Sequence, residues 1–341
     1  MPRPSATSRP ALVGAVLRLL PRILLAEWYL VLSGAALAAY VNGGAIGCDF
    51  RIYHRALEAW LSGGDPWSVG VYTIRDAHFD APPSSLFPLL PLAPLGEDVA
   101  LVIWLAICVA AAVFIVRRLR LRLEWLLFPP LVVGVIAGNP GIPLLALLLA
   151  GRPWLAALAV ALKIYAGVPL VATRNWRAVA LSAAMFAAMV VVSPGAWITY
   201  ATRFGEISSR LAVEAGGGSS ATYWWPLIPP TLLALLYIAR HDLRAAGWLA
   251  VPAIWPESQW HWSTLAMPVA TPWLGAILAP AIQGLPPVAV WVYAVVMWAQ
   301  IHHVAPRLVR ALGLPGDRTL ARPLAGPAAV VAVAGADDRS A

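Results

Sequence analysis

A chain of 341 residues that is 60% hydrophobic and 12% charged, with a mean hydropathy of +0.75, is not an ordinary soluble domain, which is about half apolar and a quarter charged. The net charge of +8 does not point to nucleic acid, because the basic residues fall in short clusters between apolar stretches: Arg117, Arg118, Arg120 and Arg122; Arg174 and Arg177; Arg240 and Arg244; Arg307 and Arg310. That is the positive-inside distribution of a chain that crosses a membrane repeatedly. The expected fold is all-α, a polytopic transmembrane bundle, since no roughly ten-residue alternation of a barrel strand occurs. Of the two cysteines, Cys48 and Cys108, the second falls in mid-span, so no structural disulfide is expected.

Taken from the N-terminus, Arg3, Arg9, Arg18 and Arg22 precede a first span over residues 24–42. No small-residue cleavage site follows, so the segment reads as an uncleaved anchor with a cytoplasmic N-terminus and Asp49 on the outer face. From there to Asp98 the chain has seven acidic residues against Arg51, Arg55 and Arg75, a balance suited to the outside. Phe50, Tyr53, Leu57, Trp60 and Leu61 recur at helical spacing. They predict an amphipathic helix lying on the outer membrane surface, N-capped by Asp49 and ended by Gly63-Gly64-Asp65-Pro66. Residues 82–95 are apolar but short and proline-rich, which predicts a re-entrant or interfacial segment.

Further spans are predicted near 97–116, 124–138, 139–150, 153–172, 179–194, 223–239, 245–257, 263–280 and 284–301, giving roughly 9–12 in all. If both the Arg117–Arg122 and Arg174–Arg177 clusters are cytoplasmic, the three apolar blocks between them require that one be broken or re-entrant. Residues 197–222 read as a second outer loop ending in Gly216-Gly217-Gly218-Ser219-Ser220, flexible by composition and able to close over a site. Residues 1–310 form the membrane-embedded domain, and 311–341 read as a poorly ordered cytoplasmic tail. There is no internal repeat.

Several polar residues stand out against this background. Asp49 is the first acid beyond the first span; it reads as an N-cap, as a catalytic carboxylate, or as both. Lys163 is the only lysine and falls inside an apolar block, where a charge costs at least ~2.5 kcal/mol and usually marks a site. Its readings are an anion-binding group, a phosphate ligand in particular, or a side chain snorkelling to the interface. His261 sits in Gln259-Trp260-His261-Trp262, where Trp260 and Trp262 are either belt aromatics or faces for a sugar ring. Tyr53 and His54 follow Asp49 by one helical turn, and Tyr53 also belongs to the apolar stripe. Asn139, in Gly138-Asn139-Pro140-Gly141, is a turn residue that can cap a helix or meet a ligand. There is no phosphate-binding glycine loop, no metal-ligand spacing and no serine nucleophile elbow, so neither metal nor cofactor is expected.

Asp49-Phe50-Arg51-Ile52-Tyr53-His54-Arg55-Ala56, followed by Leu61-Ser62-Gly63-Gly64-Asp65-Pro66-Trp67, resembles the first outer loop of glycosyltransferase family 87. These are polyprenyl-phosphate-mannose-dependent alpha-mannosyltransferases of the GT-C superfamily, from actinobacteria and their relatives. Residues 82–95 resemble that family's proline-rich segment and Gly138-Asn139 its short polar turn. Lys163 through Pro169 to Arg177 resembles its Lys-then-Pro helix, and the likeness runs in order over residues 25–305. It implies a GT-C bundle in a bacterial plasma membrane, with Asp49 as general base, Lys163 holding the donor and His261 as a late outer-loop histidine.

The expected reaction is an inverting transfer of a sugar, mannose on this likeness, from a polyprenyl-phosphate donor to a glycolipid or lipoglycan acceptor at the outer face. Lys163 would neutralise the leaving phosphate, with His261, Arg203 or Arg210 assisting. The competing expectation is a multi-span transporter or lipid-linked sugar flippase, in which Asp49 and Lys163 bind a translocated ion. The missing repeat and the acidic outer segment speak for the transferase.

Overall fold

Helices make up nearly all of the computed structural model, which describes residues 9–72, 76–214, 218–256, 258–302 and 304. The tail over 311–341 and most of the glycine run at 215–217 lie outside the described residues. The chain begins with α1 (Arg9–Asn42) and α2 (Cys48–Leu61). A short antiparallel hairpin follows, β1 (Gly70–Tyr72) and β2 (Asp76–His78), with Val71 opposite Ala77. After 3-10 turns at Pro83–Ser85 and Phe87–Leu92 come α3 (Glu97–Arg118), α4 (Pro129–Ile136), α5 (Gly141–Leu149), α6 (Pro153–Leu162), α7 (Gly167–Ala172), α8 (Trp176–Val192) and α9 (Pro194–Glu214). The rest is α10 (Ile228–His241), α11 (Leu243–Ile254), a 3-10 helix at Trp260–Val269, α12 (Pro272–Leu278) and α13 (Leu285–Ile301).

Among the described residues two helices are long and apolar enough to cross a membrane, Arg22–Asn42 and Glu97–Arg118, or up to four spans if α4–α5 and α8–α9 each count as one bent span. Side chains such as Val99, Val102, Val191, Val192, Leu233 and Val295 stand exposed on their outer faces, the surface a helical membrane protein offers to lipid. The apolar blocks are shorter as helices than the sequence predicts because prolines interrupt them. Residues 263–280, expected as one span, fall into the 3-10 helix and α12, since Pro268 and Pro272 each remove a backbone donor. Of the three apolar blocks between the basic clusters, 124–138 and 139–150 contain α4 and α5, which meet at 116°, and 153–172 is broken into α6 and α7 at Lys163. Residues 197–222, expected as a loop, are largely helix α9, bent 102° from α8 at Pro194.

Two cores divide the molecule. The larger joins α1, α3 to α8 and α10 to α13. The smaller caps one end of α3 and gathers Phe50, Tyr53 and Leu57 of α2 with Trp67, Phe79, Leu86, Leu89 and Trp104. Phe50, Tyr53 and Leu57 of the α2 stripe therefore face protein rather than bilayer, each contributing about 1.5–3 kcal/mol by leaving water, while Leu61 at the end of the stripe stays exposed. At its polar side, Glu97 clamps α2 onto the start of α3: it accepts from Arg51 and, at 2.6 Å and 3.1 Å, from Arg55.

Candidate active site

The site is built where helix ends meet. Gly47, at φ +72°, starts α2, and a Cβ there would run into Leu101. The first turn of α2 docks on the last carbonyls of α4: Gly47 N donates to Ile136 O at 2.8 Å and Asp49 N to Ala137 O at 3.0 Å. Each helix end thus satisfies the other's free backbone groups. Asp49 is not the N-cap expected from sequence; Gly47 holds that position and Asp49 lies inside the first turn. Its carboxylate is thereby free to point elsewhere, in a place where the helix dipole favours negative charge.

What it meets is Asn139. The Asn139 Nδ2 donates to Asp49 Oδ2 at 2.5 Å, while Gly141 N donates to Asn139 Oδ1 at 2.7 Å. A backbone N–H can only donate, so the amide is oriented with its NH2 group toward the carboxylate. Asn139 reaches this position because Gly138 takes φ +67° and Asn139 itself precedes a proline, which disfavours helix there. Trp104 secures the elbow by donating to Gly138 O at 2.7 Å. Cys48 completes the surroundings, its thiol 3.6 Å from Asp49 Oδ1.

Lys163 closes α6 with an extended backbone, φ −151° and ψ 119°. The α-helix does not continue here: Ala166 N donates to Lys163 O at 3.0 Å, which opens a 3-10 turn at Ile164–Ala166. The ammonium lies 5.3 Å from the Tyr53 ring centre and 5.9 Å from that of Trp262, both within cation–π range. It forms no ion pair with any described carboxylate. Trp262 also packs on Tyr165, centroids 4.4 Å apart, and the Tyr165 hydroxyl adjoins the Asn139 amide across Gly141. The breaks in α4–α5 and α6–α7 therefore converge on the first turns of α2.

His261 lies beneath this meeting point, beside Gly134 of α4, buried, with Nε2 unpartnered. Burial pushes its pKa down to about 4; the Asp49 charge opposes the shift and Lys163 adds to it. The imidazole is therefore neutral at pH 7. Burial, then the charges of Asp80 and Asp49, hold the Tyr53 hydroxyl well above the usual tyrosine range, so it is a neutral donor, and it has no partner.

The other expected residues lie differently. His54 is buried against Phe50, ring centroids 5.6 Å apart, with Nδ1 3.6 Å from Glu58. Trp260 donates to Leu278 O at 3.1 Å and serves the bundle; Trp262 is the tryptophan at the lysine. Arg203 is taken up by Asp65 and Glu206, and Arg210 donates to Phe79 O at 3.2 Å. Sequence reasoning did not single out Tyr165 or Asp80. Tyr165 was recoverable from its place two residues beyond the lone lysine, whereas Asp80, one of seven acids in its segment, had no such signal. Among the described residues no three His, Cys, Asp or Glu side chains converge as metal ligands. Comparison with known proteins returned no matching family, no matching curated relative and no matching solved structure.

Proposed function

We propose that this protein is a membrane-embedded glycosyltransferase that moves a sugar, mannose on the sequence likeness, from a polyprenyl-phosphate donor to a hydroxyl of a cell-envelope glycolipid or glycan. One observation carries the reading: a carboxylate held by an amide, Asp49 on Asn139, shares its surroundings with Lys163, a cation that forms no ion pair among the described residues. Asp49 takes the proton of the acceptor hydroxyl as that oxygen bonds to the anomeric carbon. The bond from that carbon to the phosphate oxygen breaks, its electron pair leaves with the phosphate, and Lys163 offsets the charge. A single displacement inverts the anomeric centre.

The test is transfer from radiolabelled polyprenyl-phosphate-mannose to a membrane lipid extract by the purified protein. Asp49→Asn is expected to insert normally and lose about 10²–10⁴-fold in kcat; near-normal turnover removes the base. Lys163→Ala is expected to raise the donor KM more than the acceptor KM. Two broken helices meeting at a charged site also occur in secondary transporters, which favours a second reading. Uptake of polyprenyl-phosphate-mannose into proteoliposomes without sugar transfer would establish that reading instead.

A further inference from the structure

Asp80 is a carboxylate without a partner among the described residues, in a region where several other acids are matched. Asp65 pairs with Arg203, Glu97 with Arg51 and Arg55, Asp98 with Arg51, and Glu214 with His78 and Arg210. Asp80 has neither hydrogen bond nor ion pair among the described residues, although its backbone is fixed on both sides. Phe79 N donates to Val69 O at 3.0 Å, and Ala81 O accepts from Trp67 Nε1 at 3.1 Å. The Phe79 ring stands edge-on to Tyr53 at 5.2 Å, and Trp67 carries the half-buried Tyr200 ring at 5.6 Å.

Two buried groups nearby also lack partners: the Tyr53 hydroxyl and Ser84 Oγ, the latter in a residue with 0% exposure. A buried hydroxyl without a partner costs roughly 1–3 kcal/mol, a cost that a bound polar ligand removes. Burial first, then the Asp80 charge and after it that of Asp49, raise the pKa of the Tyr53 hydroxyl, and Lys163 opposes Asp80 at Tyr200. The second carboxylate therefore borders the same cluster as the first.

We propose that Asp80 and the Tyr53 hydroxyl form a subsite for the sugar ring of the acceptor. The inference rests on the transferase reading and names what the acceptor must present. A carboxylate repels the donor's phosphate and finds no hydrogen-bond donor on a polyprenyl chain, and a subsite for the donor's own sugar ring is told apart by the donor KM of an Asp80 variant. Neighbouring ring hydroxyls satisfy it, each donating to one oxygen, while an aromatic face such as Tyr200 covers the apolar face of the pyranose. The acceptor is accordingly a glycosylated lipid or glycan rather than a simple lipid alcohol.

The experiment measures tryptophan fluorescence of the full chain in lipid nanodiscs titrated with hexyl α-mannoside, with hexanol as the control. The wild-type protein is expected to bind the mannoside and not hexanol. Asp80→Asn should raise the dissociation constant about ten- to a hundredfold, with unfolding temperature and donor KM unchanged. Tyr53→Phe, which removes one oxygen, should raise it by a smaller factor. No binding by the wild type, equal binding of hexanol, an unaltered constant in either variant, or a rise in donor KM instead overturns the subsite. A wild-type protein that binds the mannoside through Asp80 yet transfers no sugar from polyprenyl-phosphate-mannose sinks the transferase reading and leaves the subsite standing.

Discussion

Asn139 shows how an amide can fix the direction of a carboxylate. Its N–H donates to Asp49 Oδ2, and its own carbonyl is fixed by Gly141. Asn139→Ala is expected to lower kcat about ten- to a hundredfold in the transfer assay with donor KM little changed. Asn139→Asp removes the amide donor and sets a like charge against Asp49, so transfer should fall at least as far as in the alanine variant. His261 gives a stability prediction whose sign follows from its depressed pKa. The unfolded imidazole takes up a proton near pH 6.5 and the folded one only near 4. Stability is therefore full above pH 6.5, falls by about 3 kcal/mol in total toward pH 4, and is flat below. His261→Gln should remove that part of the acid sensitivity in thermal melts recorded against pH. Asp49, Lys163 and His261 were readable from sequence because each is polar where its neighbours are not. Asp80 was hidden among seven acids of one segment, and only packing separates the matched from the unmatched. Trp260 and Trp262 share a type and a neighbourhood, so nothing before the fold could decide which one meets the lysine.

At the scale of elements, the site depends on interruptions more than on helices. The elbow between α4 and α5 needs Gly138, whose positive φ costs an alanine about 1–2 kcal/mol; a Cβ there would also stand 3.0 Å from Phe50 Cβ. Gly138→Ala should lower the unfolding temperature and, by displacing Asn139, reduce transfer more than the lost stability alone would. Denaturation and activity measured on the same preparation separate the two effects. The break in α4–α5 was foreseeable because Gly-Asn-Pro-Gly is a turn in any setting. The helix α9 was also there to be read, since Trp197, Tyr200, Phe204, Ile207 and Leu211 recur at helical spacing, although the segment was expected as a loop. What fixes that helix is contact with the hairpin, Glu214 accepting from His78 N at 2.9 Å. The stripe of α2 was read correctly as amphipathic, but composition could not tell a bilayer from a protein cap as the apolar partner.

Across the whole molecule, α3 provides the ruler. Its 22 residues rise about 33 Å, with the α2 clamp at Glu97 and the basic cluster at Arg117–Arg118. Trp104, which holds the Gly138 elbow, lies about 10 Å along it from the acidic end. The basic end is tied in turn to α5, where Arg118 donates to Leu149 O at 3.0 Å. On the proposed topology, an impermeant thiol reagent should label Ser62→Cys on intact cells but Arg152→Cys only after permeabilisation. Labelling of both from one side contradicts that orientation. The number of crossings was the least readable property, because 31 prolines cut apolar blocks into pieces whose lengths do not say which of them span.

The ammonium of Lys163, which forms no ion pair among the described residues, bears on the end of the proposed catalytic cycle. A sugar phosphodiester carries one negative charge, whereas the polyprenyl phosphate released by the proposed reaction carries about −1.5 to −2 at neutral pH. The cation that welcomes the donor thus grips the spent carrier harder, and departure of that carrier, rather than glycosidic bond formation, becomes the natural brake on turnover.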